Sequence, residues 1–342
     1  MKDNLPPITG ISCGDPNGIG IEIILKSLQD IRILDFFTPI IFSNDQLLLS
    51  QKKKFNIDLE LHKIKNDQNP IPGKINVINV WEDTFELEFG KSSKKSGQLS
   101  YKSLEATTSF LKSNKIDLMV TAPINKENIQ NEKFNFPGHT DYLSDKLDGD
   151  SLMFMISDEL KLGLLTDHVP VNEIISNVNP DKIKKKISIM EKSLKMDFGI
   201  IKPKIAVLSI NPHVGDGGVI GEEDQTILIP SLLEISKSGT LIAGPFSSDS
   251  FFGARLYKNY DAVLAIYHDQ GLIPFKTLSF GEGVNYTAGL NKVRTSPDHG
   301  TGYDIAGKNI ADPSSFKNAI FSAIEIYKKR NYYNSLNQDH KK

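Results

Sequence analysis

The sequence predicts an α/β fold organised around a largely parallel central sheet. Three observations carry that prediction. Short apolar runs of strand length alternate with segments of helical period, a glycine-rich turn joins the first such run directly to a helix, and no internal repeat or long linker interrupts the alternation. With 342 residues the chain exceeds the length at which one hydrophobic core usually stops growing, so two packed domains are expected. Without a linker, a second domain is expected to be entered and left by the chain rather than attached at one end.

The elements follow in order. Residues 8–13 read as a strand, 14–18 as a turn and 19–28 as a helix that starts from that turn. Comparable strands are expected at 39–42, 118–121, 152–156, 162–165, 205–210 and 262–267. The clearest helix starts at Asn179-Pro180, a capping residue followed by proline in the first turn, and it places Ile183, Ile187, Met190 and Leu194 on one face. Its lysines form a solvated outer face. Residues 51–75, rich in Lys, Asn, Asp and Pro, and the polar tail from Lys328 read as surface or frayed segments.

Hydrophobic residues at 39% and charged residues at 24% fit an ordinary globular enzyme rather than a disordered chain. A net charge of -2 supplies no global field for nucleic acid or an anionic membrane, so any anionic ligand must be met by a few placed cations. The single cysteine, Cys13, rules out an internal disulfide framework. The start Met1-Lys2-Asp3-Asn4 runs into Pro6-Pro7 without the apolar core of a signal peptide, and the apolar runs are strand-sized. A cytoplasmic location with no membrane or nucleic-acid partner is expected.

Gly90-Lys91-Ser92 ends like a phosphate loop, but Phe85 stands where its first glycine is required. Neither Gly14-Asp15-Pro16-Asn17-Gly18-Ile19-Gly20 nor Gly215-Asp216-Gly217-Gly218-Val219-Ile220-Gly221 has the spacing of the standard Rossmann glycine fingerprint. The first sits between strand and helix, where it serves either as a tight turn or as a place for a ligand to approach free backbone N–H groups. Five of the seven histidines lie in Gly-, Pro- and Asp-rich loops, whereas His62 and His340 lie in polar, surface-like sequence. His168, His213 and His268 each follow a predicted strand, the edge at which open α/β sheets bind ligands. Three imidazoles suit a divalent ion with positions left open for substrate oxygen; the alternative is three separate loop histidines bonded to backbone. His139-Thr140, together with Lys276, Asn285 and Arg294, could clamp phosphate and carboxylate, since charge-assisted hydrogen bonds contribute roughly 1.5–3 kcal/mol each. Taken singly, these cations also fit a surface role, and His139 to Asp141 also fits the start of a helix at Tyr142.

At this point several blocks together resemble the 4-hydroxythreonine-4-phosphate dehydrogenase family of pyridoxal phosphate biosynthesis. They are the Gly14 to Gly20 turn, Thr121-Ala122-Pro123-Ile124-Asn125-Lys126, Phe136-Pro137-Gly138-His139-Thr140-Asp141-Tyr142-Leu143, Asn211-Pro212-His213-Val214-Gly215-Asp216, Tyr267-His268-Asp269-Gln270-Gly271, Gly283-Val284-Asn285 and the run from Val293-Arg294 to Gly302. The agreement extends from about residue 8 to about residue 325. Ile21, where many relatives carry proline, and the segment Gly244-Pro245-Phe246-Ser247-Ser248-Asp249 depart from the pattern.

The resemblance implies a two-domain fold similar to isopropylmalate dehydrogenase and a homodimer, with the active site in the interdomain cleft near the dimer interface. Residues 1–135 plus 275–335 would form the cofactor-binding domain and 136–274 the metal-binding and dimerisation domain. It implies NAD and a divalent ion (Zn, Mg or Co) as cofactors. His168, His213 and His268 would be the metal ligands, and His139, Thr140, Lys276, Asn285 and Arg294 the contacts to a small phosphorylated hydroxy amino acid. The segment 299–308, with His299, Gly300, Thr301, Gly302 and Asp304, resembles the loop that holds the adenosine part of NAD. Lys276 and Asp249 are the candidates for the base. The implied reaction oxidises the C3 alcohol of 4-phosphooxy-L-threonine and releases CO2 to leave 3-amino-2-oxopropyl phosphate. Its rivals are a dehydrogenase of phospho-threonate or phospho-erythronate and, in another class, a three-histidine metallohydrolase without NAD.

Overall fold

A computed structural model of the chain describes residues 5–339. The Met1 to Asn4 start and His340, both read above from sequence, lie outside them. In chain order the strands are β1 (Ile8–Ser12), β2 (Thr38–Ser43), β3 (Leu61–Lys63), β4 (Ile75–Asn79), β5 (Leu118–Thr121), β6 (Gly149–Ile156), β7 (Lys161–Leu164), β8 (Lys204–Leu208), β9 (Leu241–Phe246), β10 (Ala262–Ala265), β11 (Val284–Leu290) and β12 (Val293–Pro297). The helices are α1 (Gly20–Leu28), α2 (Asp45–Lys54), α3 (Lys94–Lys112), α4 (His139–Lys146), α5 (Pro180–Met196), α6 (Ile229–Lys237), α7 (Ser248–Gly253), α8 (His268–Leu278) and α9 (Ser314–Asp339). The α/β class with a mostly parallel sheet is as expected. No helix among the described residues is long and apolar enough to cross a membrane.

The chain divides into two compact units, 1–148 with 291–327, and 149–290 with 328–342. Each unit is made of two separate chain segments. The expected boundaries after residues 135 and 274 instead fall after residues 148 and 290. Strand pairing accounts for the shift: β6 and β11 form one extended antiparallel ladder, Val284 opposite Ile156 through Ala288 opposite Leu152, which keeps 149–156 and 284–290 in the same unit.

In the first unit the strand order is β3-β4-β2-β1-β5-β12, all parallel. Apart from the edge strand β3, its strands are buried on both faces, as β2 is with every residue buried. Helix α1 follows β1 after a short turn and buries nearly every residue. Helix α3 is capped by Ser93, whose hydroxyl accepts from the Ser96 amide at 3.1 Å. Residues 51–75 are not the frayed surface that their lysines suggested. Phe55, Ile57, Leu59 and Ile64 are buried, and β3 pairs with β4, so an apolar alternation is hidden among exposed cations.

In the second unit the order is β11-β6-β7-β10-β8-β9. Strands β7, β10, β8 and β9 run parallel, and β6 is antiparallel to both neighbours. The core gathers Met153, Leu162, Leu164, Val263, Phe251 and Phe275. Helix α5 lies where sequence put it: the Asn179 side chain accepts from the Lys182 amide at 2.9 Å, and Ile183, Ile187, Met190 and Leu194 are buried. The tail from Lys328 is helical to Asp339 rather than frayed. Arg330 holds it: its guanidinium donates to the buried Asp197 carboxylate at 2.8 Å, to the Tyr286 hydroxyl at 2.6 Å and to the Leu290 carbonyl at 3.0 Å.

Candidate active site

In the first unit the site is built where β1 and β5 end. Asp15, in the turn after β1, donates its amide to the Pro123 carbonyl in the loop after β5 at 2.9 Å, which joins the two strand ends. Arg294 stands on β12, in register with Met119 of β5, and is only 1% exposed. Its Nε and Nη2 donate to the Thr121 hydroxyl at 3.1 and 2.5 Å. Loss of hydration pulls the guanidinium down to about 9.

His139 and Thr140 come from the first turn of α4, which begins at His139 rather than at Tyr142 as the sequence suggested. The helix starts earlier because Gly138 serves as its N-cap, with its carbonyl accepting from the Tyr142 amide at 3.2 Å. Thr140 is buried, and the Nε2 atom of His139 is enclosed with no hydrogen-bond partner. Burial, then the charges of Arg294 and Lys126, hold its imidazole well below the usual histidine range. A neutral ring with an unmet nitrogen, beside a dehydrated guanidinium and the start of a helix, is an environment that an anion would stabilise. Lys126 and Thr121 were quoted from sequence within a matching block but given no role; their signal was proximity to β5, which the spacing alone could not convey.

The segment 299–308 is fastened to the turn after β1. The Ile19 amide donates to the Thr301 carbonyl at 2.9 Å. A Cβ at residue 18 would lie 2.6 Å from that carbonyl oxygen, so only glycine allows the approach. Gly302 has φ +54° against the Ile19 side chain. Around Gly300 there is open space, Asp304 is exposed, and His299 turns Nδ1 to the Gly300 carbonyl at 3.0 Å while Nε2 is enclosed without a partner. Open backbone beside an orphaned ring nitrogen fits a ligand with polar edges such as a nucleotide.

In the second unit β7, β10 and β8 are consecutive parallel neighbours, and each is followed by one of the three predicted histidines. His168 follows β7, His268 opens α8 after β10, and His213 lies in the turn after β8. The rings of His168 and His268 come together with centroids 5.8 Å apart, and His268 Nδ1 contacts Asp269 at 2.7 Å. His213 starts a left-handed run through Val214, Gly215, Asp216 and Gly217, with φ values of 52, 59, 74, 45 and 67°. Such backbone is costly for the non-glycine members and needs support. The buried Asp224 carboxylate fixes the chain just before this run by accepting from the Ile210 and Asn211 amides, both at 2.8 Å. Among the described residues no three His, Cys, Asp or Glu side chains gather as a metal-binding group. The donor chemistry of His168 and His268 suits a borderline divalent ion, and His213 does not complete the set within this chain.

Asp249 opens α7, exposed, and its carboxylate is held below the usual range by the Ser247 hydroxyl at 2.6 Å and the Ser250 amide at 2.7 Å, with a smaller contribution from His213. Lys276 leaves α8 on its exposed side about two turns after His268. Asn285 on β11 has its side-chain oxygen enclosed without a partner. Gln270, unassigned from sequence, ties the histidine-bearing loops together. It accepts from the Ile266 amide at 2.6 Å and donates to the Ser209 carbonyl at 2.7 Å and the Ser248 hydroxyl at 2.8 Å. A cavity of about 480 Å³ beside it is lined by Asp249, Phe252, Tyr267, Asp269, Ile273 and Leu278 among others.

The chain has counterparts among known proteins. A relative from Bacteroides thetaiotaomicron, named 4-hydroxythreonine-4-phosphate dehydrogenase, is 42% identical over 96% of this chain and 91% of its own length. One from Oceanobacillus iheyensis, named putative D-threonate 4-phosphate dehydrogenase, is 35% identical over 94% of this chain and 98% of its own. A crystal structure of 4-hydroxythreonine-4-phosphate dehydrogenase from Klebsiella pneumoniae superposes with a TM-score of 0.78 at 30% identity, covering 95% of this chain and 99% of that one. The model of the family described as pyridoxal phosphate biosynthetic protein PdxA matches residues 35–323, which takes in the anion-seeking pocket, the strand-end histidines and the 299–308 segment, and the chain belongs to that family.

Proposed function

We propose that this chain is an NAD-dependent 4-hydroxythreonine-4-phosphate dehydrogenase that oxidises 4-phosphooxy-L-threonine at C3. The observation that carries the reading is the buried pocket of Arg294, Thr121 and His139, a receptor for a compact anion in a family whose members include dehydrogenases named for phosphorylated hydroxy acids. Arg294 and His139, with Thr140, would hold the phosphate, and Lys276 and Asn285 would contact the remaining polar groups. NAD, when bound, accepts the hydride from C3, and the 299–308 segment would hold its adenosine half. A divalent ion (Zn, Mg or Co), when bound at His168, His213 and His268, supplies a Lewis acid for the alcohol oxygen.

The protein's own contribution is orientation and proton management. The C3 alcohol gives up its hydroxyl proton to a base as the hydride leaves. The resulting β-keto acid loses CO2, and the electron pair of the broken C–C bond is protonated at carbon to give 3-amino-2-oxopropyl phosphate. Asp249, already satisfied by two strong hydrogen bonds, is a weak acceptor, so Lys276 is the better candidate for the proton transfer.

The enzyme would act in the cytoplasm as a homodimer. Phe280, 89% exposed, with Ile273 and Leu278 on α8, offers apolar surface for a second copy. The Oceanobacillus relative supports a second reading, oxidation of a phosphorylated sugar acid such as D-threonate 4-phosphate. One assay separates them: NADH formation followed by absorbance with each phospho-acid in turn. Reduction of NAD with 4-phosphooxy-L-threonine is the expected result. Turnover of the threonate ester alone would replace the first reading with the second, and inactivity with both would remove the dehydrogenase assignment.

A further inference from the structure

Asp15 is fully buried, yet no salt bridge found among the described residues includes it. Its Oδ1 accepts from the Asn17 amide at 2.9 Å. Its Oδ2 is within hydrogen-bond distance of three side chains from three distant segments: Ser96 Oγ of α3 at 3.2 Å, Asn128 Nδ2 beyond β5 at 2.7 Å and the Tyr303 hydroxyl at 2.9 Å. Asn128 also donates to the Tyr303 oxygen at 3.3 Å. Burial, then the Asp15 charge, push the Tyr303 phenol up, so the hydroxyl stays protonated and always available to donate. A buried carboxylate is expensive to keep, and this one is met entirely by neutral donors, which makes it a directional anchor rather than half of an ion pair.

Tyr303 belongs to the 299–308 segment, and the surroundings show how closely that segment is fitted. A Cβ at residue 90 would lie 2.6 Å from the Tyr303 carbonyl oxygen, and Asn17 holds the 88–91 stretch by donating to the Lys91 carbonyl at 2.9 Å and accepting from the Glu88 amide at 3.0 Å. We infer that Asp15 is a positioning residue for the dinucleotide. By docking the Tyr303 hydroxyl it fixes the 299–308 segment against the turn after β1, so that NAD affinity depends on a hydrogen bond that does not touch NAD. The inference rests on the reading of 299–308 as the cofactor segment.

The test is Tyr303→Phe, which removes one hydroxyl and leaves the ring, with Asp15→Asn as a second variant in which the acceptor loses its charge. Calorimetric titration with NAD is expected to give at least a fivefold rise in Kd for Tyr303→Phe, a matching rise in KM for NAD, and kcat at saturating NAD within about twofold of wild type. Titration with inorganic phosphate, which reports the Arg294 pocket, is expected to be unchanged. Without NAD, amide exchange over residues 299–308 is expected to accelerate in the variant while β1 and β5 remain protected. A role confined to general stability would lower kcat, phosphate binding and NAD binding together and is excluded by that pattern. Wild-type NAD affinity in folded Tyr303→Phe overturns the inference, and so does unchanged exchange in 299–308. If wild type itself binds no NAD, the cofactor reading fails along with the affinity claim, and accelerated exchange would then leave Tyr303 as a purely structural tie.

Discussion

The two units place their functional side chains under opposite conditions. In the first, Arg294 is dehydrated, Thr121 fixes its orientation and His139 keeps an unmet nitrogen beside it. In the second, His168 and His213 are exposed, and His213 rides on a left-handed turn whose entry is bonded to a buried carboxylate. On the proposed function, the first would be a preorganised receptor whose cost is electrostatic, and the second a set of metal ligands whose cost is conformational. Preorganised charge gains affinity when an anion arrives, whereas strained, exposed ligands gain their order from what they bind.

The largest expected effect follows from breaking the second arrangement. Replacing His268 by alanine, or treating the wild type with a chelator, is expected to lower kcat by about a hundredfold or more, with NAD affinity unchanged. Adding back a divalent ion should restore the chelated wild type and only poorly the variant. Metal content, NAD titration and initial rate on one preparation check this, and full activity in metal-free protein would contradict it.

Breaking the first arrangement is expected to cost less. Arg294→Met removes one charge-assisted contact worth roughly 1.5–3 kcal/mol, so kcat/KM for the phospho-acid should fall at least about tenfold. Because the side chain is buried, the melting temperature without ligand is measured alongside, and a folded variant with an ordinary melting curve is expected. A tenfold loss accompanied by unfolding would assign Arg294 to the core instead.

The smallest effect sharpens the comparison through pH. His139 titrates lower when folded than when unfolded, so between those two values the unfolded chain binds more protons. Its contribution is therefore neutral above the unfolded value of about 6.5 and turns destabilising as pH falls through it, until the folded value is reached. The slope stays below about 1.4 kcal/mol per pH unit, and solvent screening of the half-buried ring reduces it further. Melting curves between about pH 5 and 8 should flatten on the acid side in His139→Gln. Added phosphate should stabilise wild type increasingly as pH falls, because a neighbouring anion favours the protonated ring.

What sequence disclosed, and what it did not, divides along similar lines. Apolar periodicity located β5 and the buried face of α5, because burial is repeated along an element and leaves a pattern. Strand-end placement of His168, His213 and His268 was legible for the same reason. Their mutual distances were not, since they depend on sheet order, and β10 lies between β7 and β8 although it comes after both in the chain. Thr121 with Arg294, and Asp15 with Tyr303, are pairs separated by 173 and 288 residues, and no local rule connects them. Lys328 onward looked polar because its one informative residue, Arg330, is a cation whose partner lies in another element.

That arginine carries a consequence for the second unit. Asp197 sits fully buried between α5 and β11, and the guanidinium that neutralises it belongs to a residue synthesised after every strand of the second unit. Without Arg330, the Asp197 carboxyl would have to be protonated, stay hydrated or remain an uncompensated buried charge. The final stretch of α9 thus closes the second unit electrostatically: the charge that compensates its buried acid comes from a residue that follows all of its strands in the chain.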